Sequence, residues 1–132
     1  MHIGARRLND PGCLTWNELQ TRDPETTAAF YAELFGWETK PVKAHGTLAY
    51  VTIENAGSAN GGIMPLTEQH GDAPPHWLAY FTVPSCEDAL ARVLELGGAV
   101  LARPLDVPAA RIAAASHLQG AVFALFEGET DD

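Results

Sequence analysis

Basic residues are scarce in this chain. Eight Lys and Arg stand against 17 Asp and Glu, a formal charge of −9. That balance leaves no footprint for neutralising phosphates, so nucleic acid is not an expected partner. Cysteine is almost absent as well: Cys13 and Cys86 are far apart, and neither has a metal-binding spacing around it. Two isolated thiols are the pattern of a reduced, cytoplasmic protein. No segment approaches the roughly 20 apolar residues that cross a bilayer, and the opening MHIGARRLNDPG has no signal-peptide apolar run. The expectation is a soluble, cytoplasmic chain with no membrane partner. Histidine offers no ligand pair either. His2, His45, His70, His76 and His117 fall in the N-terminal arm, loops or strand ends, and no two are spaced to aim both imidazoles at one point on a helix. His76 alone is placed to approach a cavity mouth.

What is present is an ordinary globular composition, 46% hydrophobic with 12 glycines over 132 residues. This suffices for a single domain with a sizeable interior. The acidic surface confers solubility or draws a cationic small molecule by long-range attraction.

The informative feature is an internal repeat. A shift of 62 residues lays the first half on the second without a gap: Trp16-Asn17-Glu18 meets Leu78-Ala79-Tyr80, Glu25 meets Glu87, Leu34 meets Leu96 and Gly36 meets Gly98. Each half reads as strand, helix, glycine stop and three short strands. In the first, Asp23 is a good N-cap, Pro24 occupies the first helical position and Glu25 the first turn. Thr27, Phe30, Tyr31 and Leu34 recur at helical spacing, and Gly36 ends the helix. In the second, Ser85 caps with Asp88 as its capping-box partner. Ala89, Leu90, Val93 and Leu94 or Leu96 form the stripe before Gly97-Gly98. Strand-like segments follow at 37–42, 48–54 and 61–66, then at 99–105, 110–116 and 121–127. The fold class is α+β, in two tandem β-α-β-β-β units of about 13–66 and 76–128. A Gly/Pro linker spans 67–75 and an acidic tail 129–132.

Two such units in about 130 residues resemble the vicinal oxygen chelate superfamily of glyoxalase I, extradiol dioxygenases and bleomycin-resistance proteins. The resemblance lies in WNELQTRDPETTAAFYAELFGW (16–37), HWLAYFTVPSCEDALARVLELGGAV (76–100) and QGAVFALFEG (119–128), and the likeness is greatest to the small bleomycin-resistance subgroup. It implies that each unit curls into half a barrel, with a cleft on the sheet face away from the helices. It also implies a homodimer whose clefts are built from two chains. On that reading Asn17, Leu19 and Thr21 lie under the first helix while Trp16, Glu18 and Gln20 face the cleft. Likewise Ala79, Phe81 and Val83 lie under the second helix while Leu78, Tyr80 and Thr82 face the cleft.

Metal-using relatives draw ligands from the first and last strands of each unit. By resemblance those positions are Trp16, Gly62, Leu78 and Ala124, none of which has a side chain able to ligate a divalent cation. No metal and no cofactor are therefore expected, and metal-dependent glyoxalase or dioxygenase chemistry is disfavoured.

The candidate ligand-binding residues are Trp16, Glu18, Gln20, Tyr50, Met64, Leu78, Tyr80, Thr82 and Phe126, with Val122 beside them. Apolar walls with a few placed polar groups suit a small-molecule pocket, and the aromatic rings suit stacking on a planar ligand. The same rings also suit a collapsed barrel core or a subunit interface. Glu18 and Tyr80 are the candidate acid/base residues. Glu18 is read as a desolvated base, a ligand contact, or a rim carboxylate satisfied by Arg111, Gln20 or water. Arg22 and Arg103 are further candidates for pairing. Three functions remain open: metal-independent sequestration of a bulky aromatic natural product; a metal-independent isomerase, cyclase or lyase using Glu18 or Tyr80; and an accessory domain without chemistry. Convergent ionisable pairs are scarce, which favours binding.

Overall fold

The computed structural model describes residues 4–108 and 110–130. His2 and the last two residues of the acidic tail lie outside them. The elements run β1 (Leu14–Thr21), α1 (Pro24–Phe35), β2 (Glu38–Ala44), β3 (Thr47–Asn55), β4 (Ser58–Pro65), β5 (His76–Thr82), α2 (Cys86–Glu95), β6 (Ala99–Val107), β7 (Ala110–Ser116) and β8 (Val122–Gly128). The class is α+β, with the β-α-β-β-β order twice over. None of the described helices is long and apolar enough to cross a membrane.

Two compact units divide the chain, Trp16–Leu78 and Met1–Thr15 with Ala79–Asp132. Their borders fall inside β1 and β5 rather than at the linker, and local hydrogen bonds explain why. Gly12 N–H donates to the Thr82 carbonyl, and Thr82 N–H donates to the Cys13 carbonyl, tying the N-terminal arm to β5. The Arg22 guanidinium donates to the Gly71 and Ala73 carbonyls at 2.6 and 3.1 Å, holding the linker to the first unit.

The unit of Trp16–Leu78 has strand order β2-β3-β4-β1. β1 and β4 are parallel, with Glu18 opposite Gly62 and Gln20 opposite Met64. The second unit has order β5-β8-β7-β6, with β5 parallel to β8, Tyr80 opposite Ala124 and Thr82 opposite Phe126. The 62-residue shift carries the Glu18–Gly62 pair onto Tyr80–Ala124, so the repeat holds at the level of strand register.

Both helices start where the caps demand. The Asp23 carboxylate accepts from Thr26 N–H at 3.2 Å, and Gly36 closes α1 at φ 75°, a left-handed conformation costly for other residues. The Ser85 hydroxyl accepts from Asp88 N–H at 3.2 Å. The Asp88 side chain makes no return bond among the described residues, so the expected capping box is half formed. The expected apolar stripes also need correction. The buried line of α1 runs through Pro24 and Ala28 with Tyr31 beside it, leaving Phe30 and Leu34 exposed. Ala28 is small enough to bring the helix onto Leu19, Val51, Ile53 and Ile63, and that contact sets the helix rotation. In α2, Cys86 and Leu90 are buried with Ala89 and Val93 against Ala113, Ala115 and Leu125, while both Leu94 and Leu96 are exposed.

Cys86 is fully buried at the start of α2. Its N–H donates to Glu127 Oε1 at 2.7 Å, and its thiol donates to the Arg111 carbonyl at 3.4 Å. Burial pushes the thiol pKa up; the Glu127 carboxylate adds to this, Arg111 opposes it and Glu87 adds slightly. A folded-state value raised above the unfolded one favours the native state fully below the ordinary thiol range of about 8.5, and this contribution is lost as pH rises through the folded value. Urea midpoints are therefore expected to fall above that range in the native sequence, and to fall less in Cys86→Ala. A thiol reagent at neutral pH is expected to label Cys13 first and Cys86 only after unfolding.

Candidate functional site

In β1 the alternation sorts the strand into two faces. Leu19 enters the core with Ala28, and Thr21 Oγ1 lies 3.4 Å from Thr27 Oγ1 on α1. Trp16, Glu18 and Gln20 therefore point away from the helix, as strand alternation and the resemblance implied. The parity of β3, open in the sequence, is settled by Val51 and Ile53, which join the same core. Tyr50 accordingly lies on the Glu18 face. Its ring occupies the space over Gly62, where any Cβ would run into the Tyr50 ring and hydroxyl. Glycine is required there for clearance.

These residues form one hydrogen-bonded network. Trp16 Nε1–H donates to Tyr50 Oη at 3.0 Å, and Tyr50 O–H donates to Glu18 Oε1 at 2.9 Å. Gln20 Nε2–H donates to Glu18 Oε2 at 2.9 Å. Every donor runs toward the carboxylate, which is only 5% exposed. Hydrogen bonds of this type compensate a carboxylate for lost solvation. Glu18 is thus buried, and Gln20 is one of its hydrogen-bond partners. Trp16, Gln20, Tyr50 and Met64 are half-buried, Met64 being the β4 neighbour of Gln20.

The remaining candidates are distributed as follows. Leu78, Tyr80 and Thr82 are buried along β5, and Phe126 is half-buried opposite Thr82. The Thr82 hydroxyl is buried with no hydrogen-bond partner among the described residues. Val122 is largely exposed. The arginines serve elsewhere: Arg22 holds the linker, and Arg111 pairs with Glu87 at 2.6 Å and lies 3.8 Å from Asp106. Arg103 borders a groove of about 490 Å³ beside α2, with Glu87, Leu90 and Leu94.

The family's ligand positions do not fit a metal ion. Trp16 carries an indole bonded to Tyr50, Gly62 has no side chain, and Leu78 and Ala124 are buried hydrocarbon. No group of three or more His, Cys, Asp or Glu side chains could hold an ion among the described residues. Three imidazoles act as turn elements: His70 Nδ1 accepts from Thr67 N–H, His117 Nδ1 accepts from Gln119 N–H, and His76 Nδ1 contacts the Pro74 carbonyl.

An aromatic cluster on the other face of the same unit was not read from the sequence. Tyr31 packs on Phe30, Phe35, Trp37 and Trp77, at ring-centroid distances of 5.1, 6.0, 5.6 and 5.5 Å respectively. The i,i+4 pair Tyr31/Phe35 was its visible trace; Trp37 and Trp77 join only through folding.

Tyr50→Phe removes one donor to Glu18 and the acceptor of Trp16. It is expected to destabilise the protein by about 1–3 kcal/mol, read by urea denaturation. Gly62→Ala is expected to displace Tyr50 and to destabilise by at least as much.

Comparison with known proteins agrees with this architecture. A family model described as a glyoxalase-like domain matches residues 16–125. A Mycobacterium tuberculosis protein provisionally named glyoxylase CFP32 is 33% identical over 129 residues, covering 96% of this chain and 48% of that protein. The anthracycline biosynthesis protein DnrV of Streptomyces peucetius is 30% identical over 130 residues, covering 88% of this chain and 47% of that protein. The chain thus spans about half the length of the curated relatives it matches. Among solved structures, methylmalonyl-CoA epimerase from Mycobacterium tuberculosis superposes with a TM-score of 0.62 at 18% identity, over 97% of this chain and 94% of that one. This last likeness concerns the fold alone. The chain belongs to the glyoxalase-like domain family.

Proposed function

We propose that this protein binds a bulky aromatic natural product without a metal ion and acts by sequestering it. The observation that carries the reading is the Trp16–Tyr50–Glu18–Gln20 network. It fixes two aromatic side chains by their polar edges; one side of the Tyr50 ring covers Gly62, so the stacking surfaces assigned to the ligand are its other face and the Trp16 indole. Rings whose orientation is set before binding lose little freedom on complex formation. Met64 adds an adaptable apolar contact on the same face. The name of DnrV supports an aromatic polyketide as the ligand class, since that relative is an anthracycline biosynthesis protein.

The catalytic reading has one specific support, the oriented Tyr50–Glu18 pair, in which a phenol faces a carboxylate at 2.9 Å. Against it, both Glu18 oxygens already accept hydrogen bonds inside a site that is nearly closed around them. That is the environment of a carboxyl group that positions its hydrogen-bond donors. Tyr80, the other candidate acid, is buried at 7% exposure.

Titration of an anthracycline against tryptophan fluorescence tests the proposal. Trp16→Ala is expected to weaken binding by about 1–3 kcal/mol, on the scale of a desolvated anchor. Unchanged affinity would make Trp16 purely structural. The ligand is expected to be recovered chemically unaltered from the native protein; conversion that Glu18→Gln abolishes while binding persists would establish the enzyme instead. Excess EDTA is expected to leave the affinity unchanged, and metal analysis to return no stoichiometric divalent ion.

A further inference from the structure

The groove of about 440 Å³ on the helix-facing side of the Trp16–Leu78 unit has a composition that the Glu18 network does not explain. Asn17, Tyr31, Phe35, Trp37, Asn60 and Trp77 line it, and no charged side chain does, although the chain carries a formal charge of −9. The carboxamides of Asn17 and Asn60, the phenol of Tyr31 and the indole N–H groups of Trp37 and Trp77 make no hydrogen bond among the described residues. Five polar groups that make no hydrogen bond among the described residues thus line one uncharged, aromatic-walled space.

The backbone is shaped to bring them there. In the β3–β4 ladder Ile53 faces Gly61 and Glu54 faces Ala59, so Asn60 is the extra residue of a β-bulge. Strict alternation would send Asn60 to the Gly62 side of the sheet; the bulge turns it to the helix side, beside Ile53. Gly61 allows the close approach of β4 to β1, because a Cβ there would strike the Asn17 carbonyl oxygen. Residues re-aimed by a bulge into a pocket are a recurring feature of binding sites.

Ring geometry selects the ligand. Tyr31 and Trp37 stack on each other at 5.6 Å and 19°, leaving no parallel-walled slot for a further planar ring. Trp77 stands nearly perpendicular to both, at 78° to Tyr31 and 85° to Trp37. A corner of two aromatic walls rimmed by carboxamides suits a saturated ring with C–H groups on its faces and hydroxyls around its edge. We propose that this groove is a carbohydrate-binding site, in which a neutral pyranose ring packs in the corner made by Trp77 with Tyr31 and Trp37 while Asn17 and Asn60 bond its hydroxyls. It lies on the opposite side of the sheet from Glu18 and stands independently of the proposed function.

The test is a titration of the full chain with methyl glycosides of gluco, galacto, manno and 6-deoxy configuration, read on the indole and carboxamide N–H resonances. Saturable shifts are expected at Trp37, Trp77 and Asn60, with the Trp16 indole unmoved. Asn60→Ala and Trp77→Ala are each expected to weaken binding about tenfold or more, equivalent to about 1.4 kcal/mol, with unchanged circular dichroism. Absence of a saturable shift with every glycoside would overturn the proposal. So would self-association in sedimentation that Trp77→Ala abolishes, without glycoside binding, since the face would then be an interface between copies of this chain.

Discussion

Taking the Glu18 carboxylate out of water is the constraint around which the first unit's open sheet face is arranged. A carboxyl group at 5% exposure must recover in hydrogen bonds what it loses in hydration. Tyr50 and Gln20 supply these to separate oxygens, and Trp16 in turn bonds the Tyr50 oxygen. The phenol reaches the carboxylate only because Gly62, the β4 residue opposite Glu18, leaves room for the Tyr50 ring. One buried acid thereby sets the position of two rings on two other strand positions and makes a glycine obligatory on a third strand.

The repeat places two different sets of side chains on one backbone plan. Under the 62-residue shift Trp16, Glu18, Gln20, Tyr50 and Gly62 become Leu78, Tyr80, Thr82, Ile112 and Ala124. Strand register is preserved between Glu18–Gly62 and Tyr80–Ala124, so backbone geometry is common to both. The side-chain network is not: leucine and isoleucine replace the two aromatic partners, and no carboxylate remains. The Thr82 hydroxyl, standing where Gln20 stands in the first unit, has no hydrogen-bond partner among the described residues. Backbone architecture is conserved by packing and register, whereas the polar site depends on a few side chains that can be exchanged without disturbing either.

The first unit also uses both faces of its sheet differently. Leu19, Val51, Ile53 and Ile63 pack against the small Ala28 of α1, and this close seat rotates Phe30, Leu34 and Phe35 outward. The helix therefore contributes aromatic surface beyond its core contact. Trp37, just after the Gly36 cap, and Trp77, at the start of β5, extend that surface into the groove.

Much of this was legible in the chain itself. Strand alternation, caps at Asp23 and Ser85, the glycine stops and the 62-residue repeat together determined the α+β class, the element order and the face on which Trp16, Glu18 and Gln20 lie. Those features are local, or periodic, and periodicity survives folding. The side chains at Trp16, Gly62, Leu78 and Ala124 also determined, through their chemistry alone, that these positions cannot form a metal site. Only the tertiary structure decided which groups meet. The pairing of Tyr50 with Glu18 depends on the parity of β3 and on clearance at Gly62, and the exposure of Phe30 and Leu34 depends on how closely Ala28 seats the helix. The gathering of Asn17, Asn60, Trp37 and Trp77 depends on a bulge and on contacts between residues distant in sequence. Such contacts have no periodic signature, because they are set by packing in space and not by spacing along the chain.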